Sequence, residues 1–164
     1  MKTLLLIRHA KSNWQNIGDT DFNRTLNERG IKDAAVMAQR ILLEGVEIDT
    51  FITSTAVRAI TTCKTFATAY NVPHYEIIAL EKLYHAQPSV FLNVIESLKD
   101  KMNNVAIFAH NPGITEMATA LTNYTEIIDM PTCGIFAVKI NINTWQDFET
   151  AIKEKLFFKY PKEY

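Results

Sequence analysis

Four residues of this 164-residue chain have the chemistry to grip an anion, and each closes or follows an apolar run. Arg8 and His9 end the segment LLLIRHA, His110 follows VAIFA in VAIFAHNPG, and Arg58 lies in TSTAVRAITT. A guanidinium presents a rigid fork of N–H donors that matches the edge of a phosphoryl or carboxylate group, and an imidazole adds a donor or an acceptor. Two arginines and two histidines, with no carboxylate inside the same motifs, predict a pocket for a dianion such as a phosphoryl group. The simpler alternative for each arginine is an ion pair with a surface acid.

These residues meet only if the elements carrying them are neighbours. Leu4, Leu5, Leu6 and Ile7 form a run apolar on both faces, as expected of a strand inside a covered sheet. Ile31, Ala34, Ala35, Ala38, Ile41 and Leu42 recur at helical spacing over Asn27–Leu43, with Asn27 or Thr25 able to cap the first turn. A strand is predicted at Thr50–Thr53, a helix at Val57–Tyr70, a short strand at Tyr75–Ile78 and a helix at Ser89–Leu98, entered from Pro88. NVAIFA, Asn104 to Ala109, reads as a second buried strand and is followed by a short helix after Gly113. GIFAVKI and KEKLFFKYP read as two more strands, the last with the alternating charges of a sheet edge. Strands alternating with helices give an α/β fold of three layers, α/β/α, around a mostly parallel central sheet. Ligands of such sheets bind at the carboxyl ends of the strands, which directs His9 and His110 toward one crevice.

Bulk composition bounds the rest. The 17 Lys and Arg against 18 Asp and Glu leave a charge of −1, which argues against a nucleic-acid partner and requires any anion site to be local. A chain this long buries roughly 70% of its unfolded surface, so residues 1–164 are expected to form one domain without disulfide or metal support. Cys63 and Cys133 fit the core of a protein in a reducing compartment. MKTLLLIRHA is too short an apolar run for a signal peptide, and nothing approaches the ~18 apolar residues of a membrane span. A soluble, cytoplasmic protein is expected. His9, His74, His85 and His110 form no HxxxH pair and have no acid at ligand spacing, so neither a metal ion nor another cofactor is expected. His74, after Pro73, reads as an exposed loop residue.

Taken together, RHAKSNW, TSTAVRAITT, HNPGI and MPTCGIFAV resemble the motifs of the histidine phosphatase superfamily, and within it the small SixA-type phosphohistidine phosphatases. The likeness runs from Met1 to the last predicted strand. It implies a phosphoglycerate mutase-like fold, here without a helical cap. It also implies that His9 is a nucleophile forming a phosphohistidine intermediate that water hydrolyses. Arg8, Arg58 and His110 would hold the phosphoryl oxygens, aided by N–H groups of the helix after Gly113. Lys11, Ser12 and Asn111 are second-rank pocket candidates. Arg24, in DFNRTLNERG, falls where SixA-type members have an arginine, and it either borders the phosphate or pairs with Asp21 or Asp19. His9 must be neutral to attack, and neighbouring cations favour that form.

The chain departs from the wider family in one segment. Many members place a proton-donating glutamate in an LRE-like sequence, but here the segment is LYHA, with His85 in that position. Glu81 is the nearest other acid. An alkoxide leaving group needs a proton, whereas a protonated imidazole leaves a phosphoramidate as a neutral molecule. This favours phosphohistidine on a partner protein as substrate. So does the short stretch between the strand at Tyr75 and the helix at Ser89, which leaves no room for a lid over a small metabolite. The alternatives are a phosphomonoesterase using His85 or Glu81 as acid, and a phosphoryl-binding module without turnover. His9, which binding alone does not require, speaks against the module. Phe51, Phe66, Phe91, Phe108 and Phe136 are read as packing, and Trp14 as a wall at the pocket mouth.

Overall fold

The N-terminal apolar run forms β1 (Lys2–Arg8), in which Leu4, Leu5, Leu6 and Ile7 are fully buried. In this computed structural model, which describes residues 1–14, 18, 20–122 and 129–161, the strand lies deep in a six-stranded sheet. The others are β2 (Thr50–Ser54), β3 (Ile78–Leu80), β4 (Asn104–Ala109), β5 (Ile135–Ile140) and β6 (Lys153–Lys159), in the order β3-β2-β4-β1-β5-β6. Neighbours from β3 to β1 run parallel, whereas β5 and β6 are antiparallel additions. The sheet is therefore mostly parallel, as its apolar runs required.

Side chains alternate across it. Leu5, Ile7, Ala106 and Phe108 face α1 (Glu28–Leu43) and α2 (Val57–Ala69), packing on Met37, Ile41 and Phe66. Leu4, Leu6, Val105 and Ile107 face α3 (Pro88–Glu96) and α4 (Gly113–Thr122), packing on Phe91, Ile95 and Ile114. All five phenylalanines assigned to packing are buried, as are Cys63 and Cys133.

The start of α1 matters most for the site. Asn27 caps it, its side chain accepting the Gly30 N–H at 2.8 Å. The Asn27 N–H in turn donates to the Lys11 carbonyl at 3.0 Å, and Asn13 donates to the Thr25 carbonyl at 2.8 Å. A Cβ on Gly30 would lie 2.0 Å from the Lys11 oxygen, so only glycine lets the helix press this closely on the segment after His9.

Two local expectations fail. The strand predicted at Tyr75–Ile78 is a 3-10 turn over His74–Glu76, and β3 begins only at Ile78. Tyr75 is 85% exposed, and β3 has a single partner, β2, so the chain pairs only where Ile78 reaches Ile52. Ile31 and Ala35, assigned to the inner face of α1, are both exposed, Ile31 because the first turn of α1 meets the Lys11 segment through Gly30.

Candidate active site

His9 follows β1 and is held from both sides. Its N–H donates to the Ala109 carbonyl after β4, and its own carbonyl accepts the Cys133 N–H before β5, both at 3.1 Å. The next residue is fixed too, since the Ala10 N–H donates to the Thr62 hydroxyl of α2 at 3.0 Å. With the backbone clamped, the imidazole has one course. Its Nδ1 lies 2.8 Å from the Ala10 carbonyl, an oxygen that can only accept, so the ring proton sits on Nδ1 and the lone pair on Nε2. Burial first, and then the charges of Arg58, Arg8 and Arg24, push its pKa down to about 3 against the opposing Ala10 hydrogen bond. His9 is thus a neutral imidazole with Nε2 available as a nucleophile.

Parallel pairing of β1 with β4 sets Arg8 opposite Ala109, so His9 and His110 emerge side by side with ring centroids 5.2 Å apart. His110 Nε2 lies 2.7 Å from the hydroxyl of Ser54, which ends β2. Its Nδ1 is buried with no hydrogen-bond partner among the described residues. When Ser54 donates to Nε2, the proton rests on Nδ1, and this is the tautomer that leaves a donor for an incoming anion. Burial, followed by His9, Arg58 and His85, lowers the His110 pKa to about 3, with Asp21 opposing, so this donor is neutral as well.

Arg58 comes from the first turn of α2 and is 2% exposed. Its Nε donates to His9 Nε2 at 3.2 Å, its Nη1 to the Asp21 carbonyl at 2.6 Å and its Nη2 to Asp21 Oδ2 at 3.1 Å. Arg8 donates through Nη1 to the Met130 carbonyl at 2.7 Å. Asn111 donates to that same carbonyl at 3.1 Å and to Asp129 at 2.5 Å, while its own oxygen accepts the Thr115 hydroxyl. Asn111 thereby braces the acceptor that orients Arg8. Lys11, Ser12, Arg24 and Asn111 all line a cleft of about 330 Å³ with Arg8, His9, Arg58 and His110. Arg24 pairs with Asp21 at 3.0 Å and donates to Ser12 Oγ at 2.8 Å; Asp19 lies outside the described residues. Trp14 is 72% exposed at the cleft edge, with the Arg24 guanidinium 3.8 Å from its ring centroid.

The carboxylate that the motifs themselves lack is supplied from outside them by Asp21, the partner offered for Arg24. Besides Arg58 and Arg24, it accepts a short hydrogen bond from the Tyr84 hydroxyl and lies 3.5 Å from His85 Nε2. Desolvation alone would raise its pKa, but Tyr84, Arg58 and Arg24 outweigh this and bring it to about 2. His85 itself has a left-handed backbone, φ +56°, and a side chain 61% exposed at the cleft mouth. Glu81 is exposed and lies outside the cleft lining. Nor does the start of α4 line the cleft: the Ile114 N–H turns back to the His110 carbonyl at 2.9 Å. Sequence analysis reached Asp21 only as a partner for Arg24 and did not reach Tyr84, because neither lies in a segment with a period. The one available signal was Asp21 standing three residues before Arg24.

Four cationic side chains thus surround two neutral histidines, with one carboxylate bound among them. Preorganised guanidiniums in a partly desolvated cleft suit the charge of a transferring phosphoryl group. A sequence model of the histidine phosphatase superfamily (branch 1) matches residues 4–85. The Mycobacterium leprae protein ML1117, itself uncharacterized, is 28% identical over 95% of this chain and 100% of its own. A structure assigned as the phosphohistidine phosphatase SixA of Agrobacterium tumefaciens superposes with a TM-score of 0.83 at 24% identity, covering 98% of both chains. The protein histidine phosphatase SixA complexed with tungstate superposes with a TM-score of 0.82 at 18% identity, covering 98% of this chain and 97% of that one. At these identities the superpositions speak for a shared fold.

Proposed function

Because the chain belongs to the histidine phosphatase superfamily, we propose that it is a metal-independent phosphatase acting through phosphorylated His9, with phosphohistidine on a partner protein as its substrate. His9 Nε2 attacks phosphorus while Arg8, Arg58 and the His110 Nδ1–H hold the phosphoryl oxygens. The substrate P–N bond breaks and its electron pair returns to the substrate imidazole. Water then attacks the phosphorylated His9, the new P–N bond breaks, and inorganic phosphate leaves. The Arg58 N–H that caps Nε2 in the empty site must pass to a phosphoryl oxygen as the bond forms.

One observation carries the choice of substrate: among the described residues Asp21 is the sole carboxylate lining the cleft, and it is held ionised with a pKa of about 2. It has no proton to give an alkoxide near neutral pH, whereas a protonated phosphoramidate needs none. Metal independence draws support from the histidines, since His9 Nε2 already faces Arg58 and His110 Nε2 faces Ser54. Among the described residues no helix is long and apolar enough to cross a membrane. The near-zero charge supports a protein partner over a nucleic acid, and the free, buried thiols of Cys63 and Cys133 fit a reducing, cytoplasmic setting. A second reading, a phosphomonoesterase, is favoured by the contact of His85 with Asp21, which sets an imidazole at the leaving-group mouth.

Brief exposure to a phosphohistidine protein, followed by a basic quench, is expected to trap acid-labile phosphate on His9, with chelators leaving the rate unchanged. Full hydrolytic activity in His9→Ala would overturn the mechanism. A kcat/KM for small sugar phosphates equal to or above that for the phosphohistidine protein would overturn the substrate assignment.

A further inference from the structure

Beside the catalytic cleft lies a second cavity, of about 200 Å³, that shares Arg8, Lys11 and Thr132 with it. Among the described residues Arg29, Pro131 and Pro161 complete its lining, so that three of the six are cationic and none is acidic. Each wall comes from a different part of the fold: Lys11 from the segment tied to Asn27, Arg29 from the first turn of α1, Pro131 and Thr132 from the approach to β5, and Pro161 from the exit of β6. The prolines have no N–H to offer, so an occupant would depend on the cationic side chains and on Thr132. Lys11 and Arg29 are largely uncommitted, whereas Arg8 gives one N–H to the Met130 carbonyl. Among the described residues the Lys11 ammonium has no ion pair, and Arg29 makes one loose pair, its Nε lying 3.5 Å from Asp33. Concave walls of one sign focus the field and concentrate the opposite charge.

We propose that this cavity is a second anion subsite, which takes a carboxylate or a further phosphoryl group of the same substrate while the transferred phosphoryl lies against His9. The proposal rests on the phosphatase reading above and narrows its substrates to doubly anionic ones. The second anion is an acidic side chain beside a phosphohistidine, or an acidic group within a small phosphate ester. Recognition is shared between the sites through Arg8, which lines both.

The test compares kcat/KM within two substrate pairs: phosphohistidine peptides with Glu or Gln beside the modified residue, and phosphoglycolate against ethyl phosphate. The carboxylate-bearing member is expected to be favoured about fivefold. Arg29→Gln should reduce this preference to under about twofold and Arg29→Lys should restore much of it, with thermal unfolding confirming that both variants fold. The preference should also shrink as salt rises from about 50 to about 500 mM. Preference and loss seen only for the esters, with the peptides left intact, would uphold the subsite and overturn the phosphohistidine assignment. Equal rates within whichever pair is hydrolysed, or a preference that Arg29→Gln leaves whole, would overturn the subsite and leave the phosphatase reading standing.

Discussion

Acidifying the ligand-free protein from about pH 7.5 to about pH 5.0 sets the two buried histidines of the cleft against the fold. In the folded state burial, aided by neighbouring cations, holds His9 and His110 neutral with pKa values near about 3, against an ordinary 6.5. Between those limits the unfolded chain binds more protons than the folded one, so stability must fall as pH falls. At pH 5.0 an ordinary histidine is about 97% protonated while these two remain neutral, which costs about 2 kcal/mol for each and about 4 kcal/mol together. Asp21 adds little in this window, because it stays ionised when folded and its ordinary pKa of 3.8 lies below it. Urea unfolding followed by far-UV circular dichroism at the two pH values measures the loss directly. His110→Asn should lose only about half as much stability as the wild type over the same interval. Inorganic phosphate should reduce the wild-type loss, since a bound anion favours the charged imidazole. A wild-type loss below about 1 kcal/mol, or an equal loss in His110→Asn, would refute the claim that the fold holds both histidines neutral.

Ser54→Ala removes the hydroxyl that fixes the His110 tautomer, and kcat/KM is expected to fall about tenfold with KM carrying part of the change; an unaltered KM and kcat would show that the tautomer is set otherwise. Asp21→Asn frees Arg58 from a competing carboxylate, so inorganic phosphate should inhibit about fivefold more tightly, and weaker inhibition would mean that Asp21 instead holds Arg58 in its productive pose. Gly30→Ala drives a methyl against the Lys11 carbonyl and should destabilise the protein by about 2 kcal/mol in urea unfolding while raising KM; a change within about 0.5 kcal/mol would contradict the close approach.

Much of this site is legible because its two histidines follow the most apolar strands of the chain. LLLI and VAIFA could be little else than strands buried on both faces, and the carboxyl ends of such strands face the ligand side of an α/β sheet. Arg58 is legible for a related reason, being near the start of a helix that follows a third buried strand. Asn27 revealed its capping role through residue type and position. Asp21 was legible only as a partner of Arg24, because nothing local records that a turn 37 residues upstream of Arg58 will cross the mouth of the cleft. β3 was misplaced by three residues because a short edge strand has too few side chains to show a period, and its start is decided by where Ile52 waits for a partner. His85 stands where the family motif has an acid, and its left-handed backbone and exposure set it at the mouth of the cleft, 3.5 Å from Asp21.

The order of the strands also has a consequence for how the protein comes into being. β1 is made before every other strand of the sheet, yet both strands that flank it, β4 and β5, lie beyond residue 100. Until residue 140 has been made, one of the most apolar segments lacks a permanent neighbour on at least one edge, which is the condition that invites aggregation. Helices α1 and α2 can form long before this, but Arg58 then has no paired histidines to address. Closing the β1–β4 ladder joins Thr3 to Asn104, a long-range contact that must wait for slow loop closure. The site therefore waits for both pairings of β1, so a nascent chain cannot assemble it before residue 140 has been made.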